Sequence, residues 1–216
     1  MKRIIFLAAV LLLTAAGPAL AQIHGAWTSA VDSAKPGRIY MNIVRGGWQH
    51  NGNTMKLADF SGLTEAQTVS TTQVPVQFQL RRDAGTISFE GTFKHGDGAG
   101  QFTFEPNRGY AASIRSVGVA FELRRHRQAN SEDDDLFTLA LMDVSPAYIR
   151  SMQAVGYRLT LDQYMKMRIF NVTPEFIREL EDAGYSNVPA EKLIAMKVHD
   201  IDIAYIRKMN SMKDQK

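Results

Sequence analysis

Along residues 24–105 apolar and polar side chains change places at nearly every step. Ile39, Met41 and Ile43 alternate with Tyr40, Asn42 and Val44, and Val76, Phe78 and Leu80 alternate with Gln77 and Gln79. Ile87, Phe89 and Phe93 interleave with Ser88, Glu90 and Thr92, and Phe102 and Phe104 flank Thr103. A period of two with one apolar face predicts half-buried antiparallel strands. Breaks at Lys35-Pro36-Gly37, Asn51-Gly52-Asn53, Asp83-Ala84-Gly85 and Gly96-Asp97-Gly98-Ala99-Gly100 carry turn chemistry. About six strands joined as a meander are expected. The glycine run at 96–100 lies between two alternating stretches rather than between a strand and a helix, so it reads as a hairpin turn and not as a phosphate cradle. Pro75 suits a strand start or an edge. Trp27 and Trp48 are expected as core anchors, the alternative being a stacking surface for a sugar or ring.

Beyond Pro106 the period changes to four. Tyr110, Ile114 and Gly118 are spaced like Tyr148, Met152 and Gly156, like Phe176, Leu180 and Gly184, and like Tyr205 and Met209. Such spacing puts an aromatic, an aliphatic and a helix-ending glycine along one helical face. Ser145-Pro146 and Thr173-Pro174 set a capping hydroxyl before a proline at the first helical position, and Asp202 can cap the third copy. Shorter apolar stripes lie between: Leu136, Leu139 and Leu141, then Tyr164, Met167 and Ile169, then Leu193, Met196 and Val198. Each ends at Asp143, Asn171 or Asp200, residues that tolerate the left-handed conformation of a tight corner. From Tyr148 to Phe176 is 28 positions and from Phe176 to Tyr205 is 29. A fixed period in this range marks stacked helical units that cannot bury their apolar faces alone. The fold class expected is therefore α+β: an antiparallel β meander sheet over 22–106 followed by an α-helical repeat array over 107–216.

The N-terminus changes the picture of where the protein works. Lys2-Arg3 precede an apolar run from Ile4 to Leu13 that ends in Pro18 and Ala19-Leu20-Ala21, the pattern of a signal peptide over 1–21 cleaved before Gln22. Its loss removes two of the 25 cations and none of the 22 acids, so the formal charge falls from +3 to +1. A nearly neutral mature chain does not advertise a polyanion partner, so nucleic acid is not expected. The chain has no cysteine, which excludes disulfides, thiolate zinc sites, a cysteine nucleophile and a lipid-acceptor cysteine. A periplasmic or secreted protein without a stable membrane anchor is expected.

The segment Phe102 to Gly118 and the repeats from Leu136 onward resemble the helical repeats of bacterial exported proteins. Similar repeats stand at the C-terminal side of some zinc metallopeptidases of the beta-lactam-sensing antirepressor type. Val76 to Phe104, with Arg82-Asp83-Ala84-Gly85-Thr86 leading into Phe89-Glu90-Gly91, resembles the sheet module that precedes such repeats in stand-alone relatives. The resemblance implies this architecture and carries no settled activity with it. The peptidase part is absent: His24, His50, His95, His126 and His199 are scattered, and no His-Glu-x-x-His occurs. His199, at a repeat corner, reads as a packing or capping residue rather than a ligand.

No catalytic constellation, metal site or cofactor motif declares itself. Ser131-Glu132-Asp133-Asp134-Asp135 reads as the capped opening of a helix rather than a calcium loop, whose glycine and closing Glu are missing. The candidate partner-binding residues are Arg150, Arg178 and Arg207, each directly after an apolar Ile149, Ile177 or Ile206. Stacked helices would align them into a ladder for carboxylates or a peptide terminus. The plainer alternative is a solvated face with local pairs, such as Arg178 with Glu175 or Asp182. The function expected is an exported non-catalytic protein-interaction module of the bacterial cell envelope, binding a protein or peptide. The alternatives are a hydrolase-like or ligand-binding envelope protein with its site on the sheet, and an accessory envelope protein without a small ligand.

Overall fold

The alternating stretches form seven strands: β1 (Ile23–Val31), β2 (Arg38–Arg45), β3 (Gln49–Lys56), β4 (Phe60–Ser61), β5 (Val74–Arg82), β6 (Gly85–Lys94) and β7 (Asp97–Pro106). The computed structural model describes residues 23–31, 36–45, 49–123 and 131–213, with side chains throughout except at 49–51 and 210–213. The expected signal peptide, Trp48 and the basic run Arg124 to Arg127 lie outside the described residues.

All pairings are antiparallel, and the order across the sheet is β3-β2-β1-β7-β6-β5-β4. Two meanders, β1 to β3 and β4 to β7, thus lie side by side, joined where β1 pairs with β7. The two edge strands are neighbours in sequence, linked by one 3-10 turn at Leu57–Asp59. Seven flat strands would set the edges roughly 29 Å apart at about 4.8 Å per spacing. The four steps from Lys56 to Phe60 reach at most about 14 Å. The sheet is therefore curled, and its apolar face turns inward.

That inner face carries Ile39, Met41 and Ile43 of β2, Val76, Phe78 and Leu80 of β5, Ile87, Phe89 and Phe93 of β6, and Phe102 and Phe104 of β7, all buried. The alternation in the sequence predicted each of them. Trp27 of β1 is fully buried among them, edge-on to Phe78 at 5.4 Å and Phe89 at 6.2 Å. Its indole N–H donates to the carbonyls of Glu90 (3.1 Å) and Gln101 (3.0 Å). The indole lies against the facing pair Gly91 and Gly100, where a Cβ on Gly91 would come within 2.8 Å of the ring. The core-anchor expectation for Trp27 holds; the two glycines face each other because a Cβ on Gly91 would meet the Ala99 carbonyl and the indole, and one on Gly100 would meet the Glu90 carbonyl across the ladder.

Two expected breaks fall elsewhere. Asn51-Gly52-Asn53 is not a turn but part of β3, in register with Met41 to Ile43. An edge strand tolerates a glycine, and here the Tyr40 side chain occupies the space where a Gly52 Cβ would sit. The β6–β7 hairpin turns on two residues only, His95 (φ 53°) and Gly96 (φ 92°), both left-handed as a tight hairpin requires. Gly98 and Gly100 belong to β7.

The repeats form as the spacing predicts. After a single turn α1 (Glu65–Thr68) come α2 (Tyr110–Ser116), α3 (Glu132–Leu141), α4 (Pro146–Ala154), α5 (Leu161–Ile169), α6 (Pro174–Asp182), α7 (Ala190–Val198) and α8 (Ile203–Lys213). The Ser145 and Thr173 hydroxyls accept from the amides of Tyr148 and Phe176, and Asp202 accepts from Tyr205 N–H at 2.7 Å. Gly118, Gly156 and Gly184 close α2, α4 and α6 at φ 79° to 92°, and Asp143, Asn171 and Asp200 close α3, α5 and α7 at φ 52°; the helices that carry the shorter apolar stripes are no shorter than their neighbours. At each of these six ends the left-handed residue's amide bonds three residues back and the next amide five back, for example Asp143 to Ala140 and Val144 to Leu139. The orphan carbonyls of a helix end are satisfied this way. Ser131 caps α3 in a reciprocal box with Asp134, as the acidic opening suggested. His199 is the exposed C-terminal cap position of α7.

One hydrophobic cluster runs through sheet and helices. The joint is α3, which packs on β6 and β7. Phe137 stacks on Phe102 (5.4 Å, 7° between planes) and meets Phe104 edge-on at 5.2 Å. Leu141, at the end of α3, is buried, whereas its counterparts Ile169 and Val198 are half exposed. The helices α5 and α7 pack on each other instead of on those two sheet strands, so the last residue of each stripe stays open.

Candidate functional site

Two of the glycine-ended helices, α2 and α4, are stitched to the corner of the following unit. The Tyr110 hydroxyl donates to the Val144 carbonyl at 2.5 Å, and Tyr148 donates to Val172 at 3.1 Å. Phe176, at the same place in α6, has no hydroxyl. Cations lie over the same rings: the Arg168 guanidinium is 4.9 Å from the Tyr148 centroid, and the Lys197 ammonium is 3.8 Å from that of Phe176. Burial pushes the Tyr110 and Tyr148 phenols well above their ordinary pKa, Asp83 and Asp143 adding to the rise at Tyr110. Both stay neutral donors, fitted to a structural role.

The predicted arginines sit on the opposite side of these helices. Arg150, Arg178 and Arg207 are all exposed, and each follows an isoleucine that is buried. Arg178 pairs with Glu175 at 3.4 Å, the local pair that the sequence offered, with both side chains more than half exposed. No ion pair engages Arg150 or Arg207 among the described residues. Large apolar side chains are also open on the array: Ile169, Phe170, Val198, Tyr205 and Met209.

A second feature, at the seam between sheet and repeats, escaped the sequence reading. A cleft of about 330 Å³ is bounded by β2 and β3, the 3-10 turn, the end of β5 and the corners that follow α3 and α5. Its charged lining is Arg38, Lys56, Asp59, Arg82, Asp143 and Arg168, with Asn53 and Asn171 beside them. Asp143 is the hub. Its carboxylate accepts from Arg168 Nη2 at 2.6 Å and faces Arg82 Nε at 3.4 Å without hydrogen-bond alignment, while Arg82 Nη2 reaches Asp59 at 3.1 Å. Arg168 Nε also donates to the Met142 carbonyl at 3.0 Å. Further along the seam, Arg45 pairs with Asp134 and Arg108 with Asp133. Burial alone would raise the Asp134 carboxyl, but the Ser131 amide and hydroxyl and the Arg45 guanidinium together hold it below the usual carboxylate range.

The sheet offers a third surface. Gln77, Gln79, Arg81, Ser88, Glu90, Gln101 and Thr103 line a shallow groove on the polar face of the sheet. No nucleophile and base are hydrogen-bonded to each other in it, and no cluster of three metal-ligating residues occurs among the described residues. No described helix is long and apolar enough to cross a membrane.

Fold and surfaces together define an α+β protein in which a curled antiparallel sheet and a helical-repeat array share one core. No protein-family model matches the chain, and no curated protein or solved structure is significantly similar to it.

Proposed function

We propose that the protein is an exported, non-catalytic interaction module of the bacterial cell envelope whose helical repeats present a face to a protein or peptide partner. The observation that carries this reading is recurrence. A guanidinium follows the same buried isoleucine in α4, α6 and α8, and all three are exposed. Arginine in register on stacked helices suits carboxylates, because its planar fork binds them through two parallel donors. The half-exposed Ile169, Phe170 and Val198 at successive corners supply apolar contact for the same class of partner.

The test replaces Arg150, Arg178 and Arg207 together by Gln and compares native and variant as bait against envelope extract. A partner recovered with the native chain should be lost with the variant while the melting temperature stays unchanged. Its binding should also weaken with salt, since exposed charges are screened beyond about 8 Å at physiological ionic strength. Equal recovery with both baits would reduce the arginines to a solvated face.

A further inference from the structure

We propose that the seam cleft is a binding site for a small doubly charged anion of the phosphate or dicarboxylate type, taken up by Arg38 and Lys56 with Arg82 and Arg168 behind them. Arg38 and Lys56 are directly opposite each other in the β2–β3 ladder. Like charges at such a pair repel, because directly facing residues of one sheet face are only about 5 Å apart at Cβ. Here neither cation has an ion-pair partner among the described residues, and the two acids of the lining are already engaged: Asp59 by Arg82, and Asp143 by Arg82 and Arg168.

Four cations against two carboxylates leave two positive charges in excess along the lining of one cleft, with Arg38 and Lys56 exposed at its rim. The same cleft sets the carboxamides of Asn53 and Asn171 beside them, and these donate as well as accept. Arg82 is largely buried, its side chain 16% exposed, and its Nε has no hydrogen-bond acceptor. A volume of about 330 Å³ is at the low end for small-molecule pockets, which run from roughly 300 Å³ upward. A compact anion fits this description; a long chain does not. Phosphate and a short dicarboxylate offer the same chemistry to the cleft, two negative charges on oxygens within reach of several N–H donors. This site uses none of the array arginines, Arg150, Arg178 and Arg207, and stands or falls without them, although Ile169 of the array lies on its lining.

The test titrates the purified chain with sodium phosphate and, separately, with sodium succinate, each against sodium chloride at matched ionic strength, by calorimetry and by thermal melting. At least one of the two anions should bind saturably and raise the melting temperature beyond the chloride control; which one does so distinguishes the two sources. Replacing Arg38 and Lys56 together by Gln should weaken that binding by about tenfold or more, the loss expected for charge-assisted hydrogen bonds. The anion-free melting temperature of the variant should be unchanged or higher, since a repulsion has been removed. Lys56→Arg, which keeps the charge, should retain binding. No saturable binding of either anion, a shift that chloride reproduces, or equal affinity in the double variant overturns the proposal.

Discussion

Asp143→Asn isolates the charge at the hub of the seam. Asparagine occupies the equivalent corner at 171 with the same φ of 52°, so the substitution keeps the left-handed turn and its paired amides and removes only the negative charge. Two contacts lose their ionic character, the one with Arg168 at 2.6 Å and the one with Arg82 at 3.4 Å, since the Asn oxygen accepts only as a neutral group. The Asp143 side chain is 36% exposed, so solvent screens both, and each is discounted from the roughly 1.5–3 kcal/mol of a buried charged hydrogen bond toward the 0.2–1 kcal/mol of a surface pair. Arg82 keeps Asp59 and Arg168 keeps the Met142 carbonyl, so neither guanidinium is orphaned. The sum is about 1–2 kcal/mol, which for a chain of this size lowers the melting temperature by roughly 2–8 °C. Asp143→Ala should cost about 1 kcal/mol more, because alanine resists the left-handed conformation. Urea denaturation of both variants at 0.1 and 1 M salt reads these differences, and the Asn deficit should shrink at high salt. If Asp143→Asn is as stable as the native chain, the seam is not held by this carboxylate. If Asn and Ala cost the same, the corner rather than the charge has been misjudged.

Other outcomes can be checked more briefly. Phe176→Ala should cost about 3–5 kcal/mol in denaturant unfolding, since the ring is 5% exposed, whereas exposed Glu175→Ala should cost well under 1. Tyr148→Phe leaves the Val172 carbonyl without its donor and should cost about 1–3 kcal/mol, more than any effect of the same change at exposed Tyr205. Because the Asp134 carboxyl is held below its unfolded value, its contribution is complete above about pH 4 and is lost as pH falls through the depressed pKa. Acid titration of Asp134→Asn should therefore show a shallower loss of stability than the native chain. The raised phenols act with the opposite sign: their contribution is full below about pH 10 and disappears as pH rises toward their folded values, so Tyr110→Phe should flatten the alkaline limb.

The repeat array was legible because its rules are local. A hydroxyl before a proline, an Asp, Asn or Gly at a left-handed end and an aromatic four residues before an aliphatic each act within a few positions, and all reappear in the structure. The inward faces of the strands were legible for the same reason. Strand order was not: nothing in β1 states that β7 will be its second partner, and the Asn-Gly of β3 carries the same local signal as a hairpin turn. The seam was hidden because charges have no periodicity that survives on a surface. Asp143 was readable as a corner residue but not as the partner of Arg82, which lies far back on β5. The arginines at 150, 178 and 207 stood out in the sequence through recurrence alone, while Arg38 and Lys56 become notable only once the ladder sets them face to face.

The placement of β1 inside the sheet, beside the central strand β7, has a kinetic consequence. Trp27 and the Gln101 carbonyl that it binds are 74 residues apart, so the central pairing cannot form until nearly the whole sheet is available. Until then β1 has only β2 on one side, and the other ladder edge is bare together with much of the aromatic face. Contacts this distant along the chain slow folding, since loop-closure entropy must be met before they stabilise anything. The repeats, built of neighbours, can form early, and the meeting of the two meanders is left as the late step. A chain caught before that step presents an unpaired strand to other copies of itself, so β1 is where misassembly should begin.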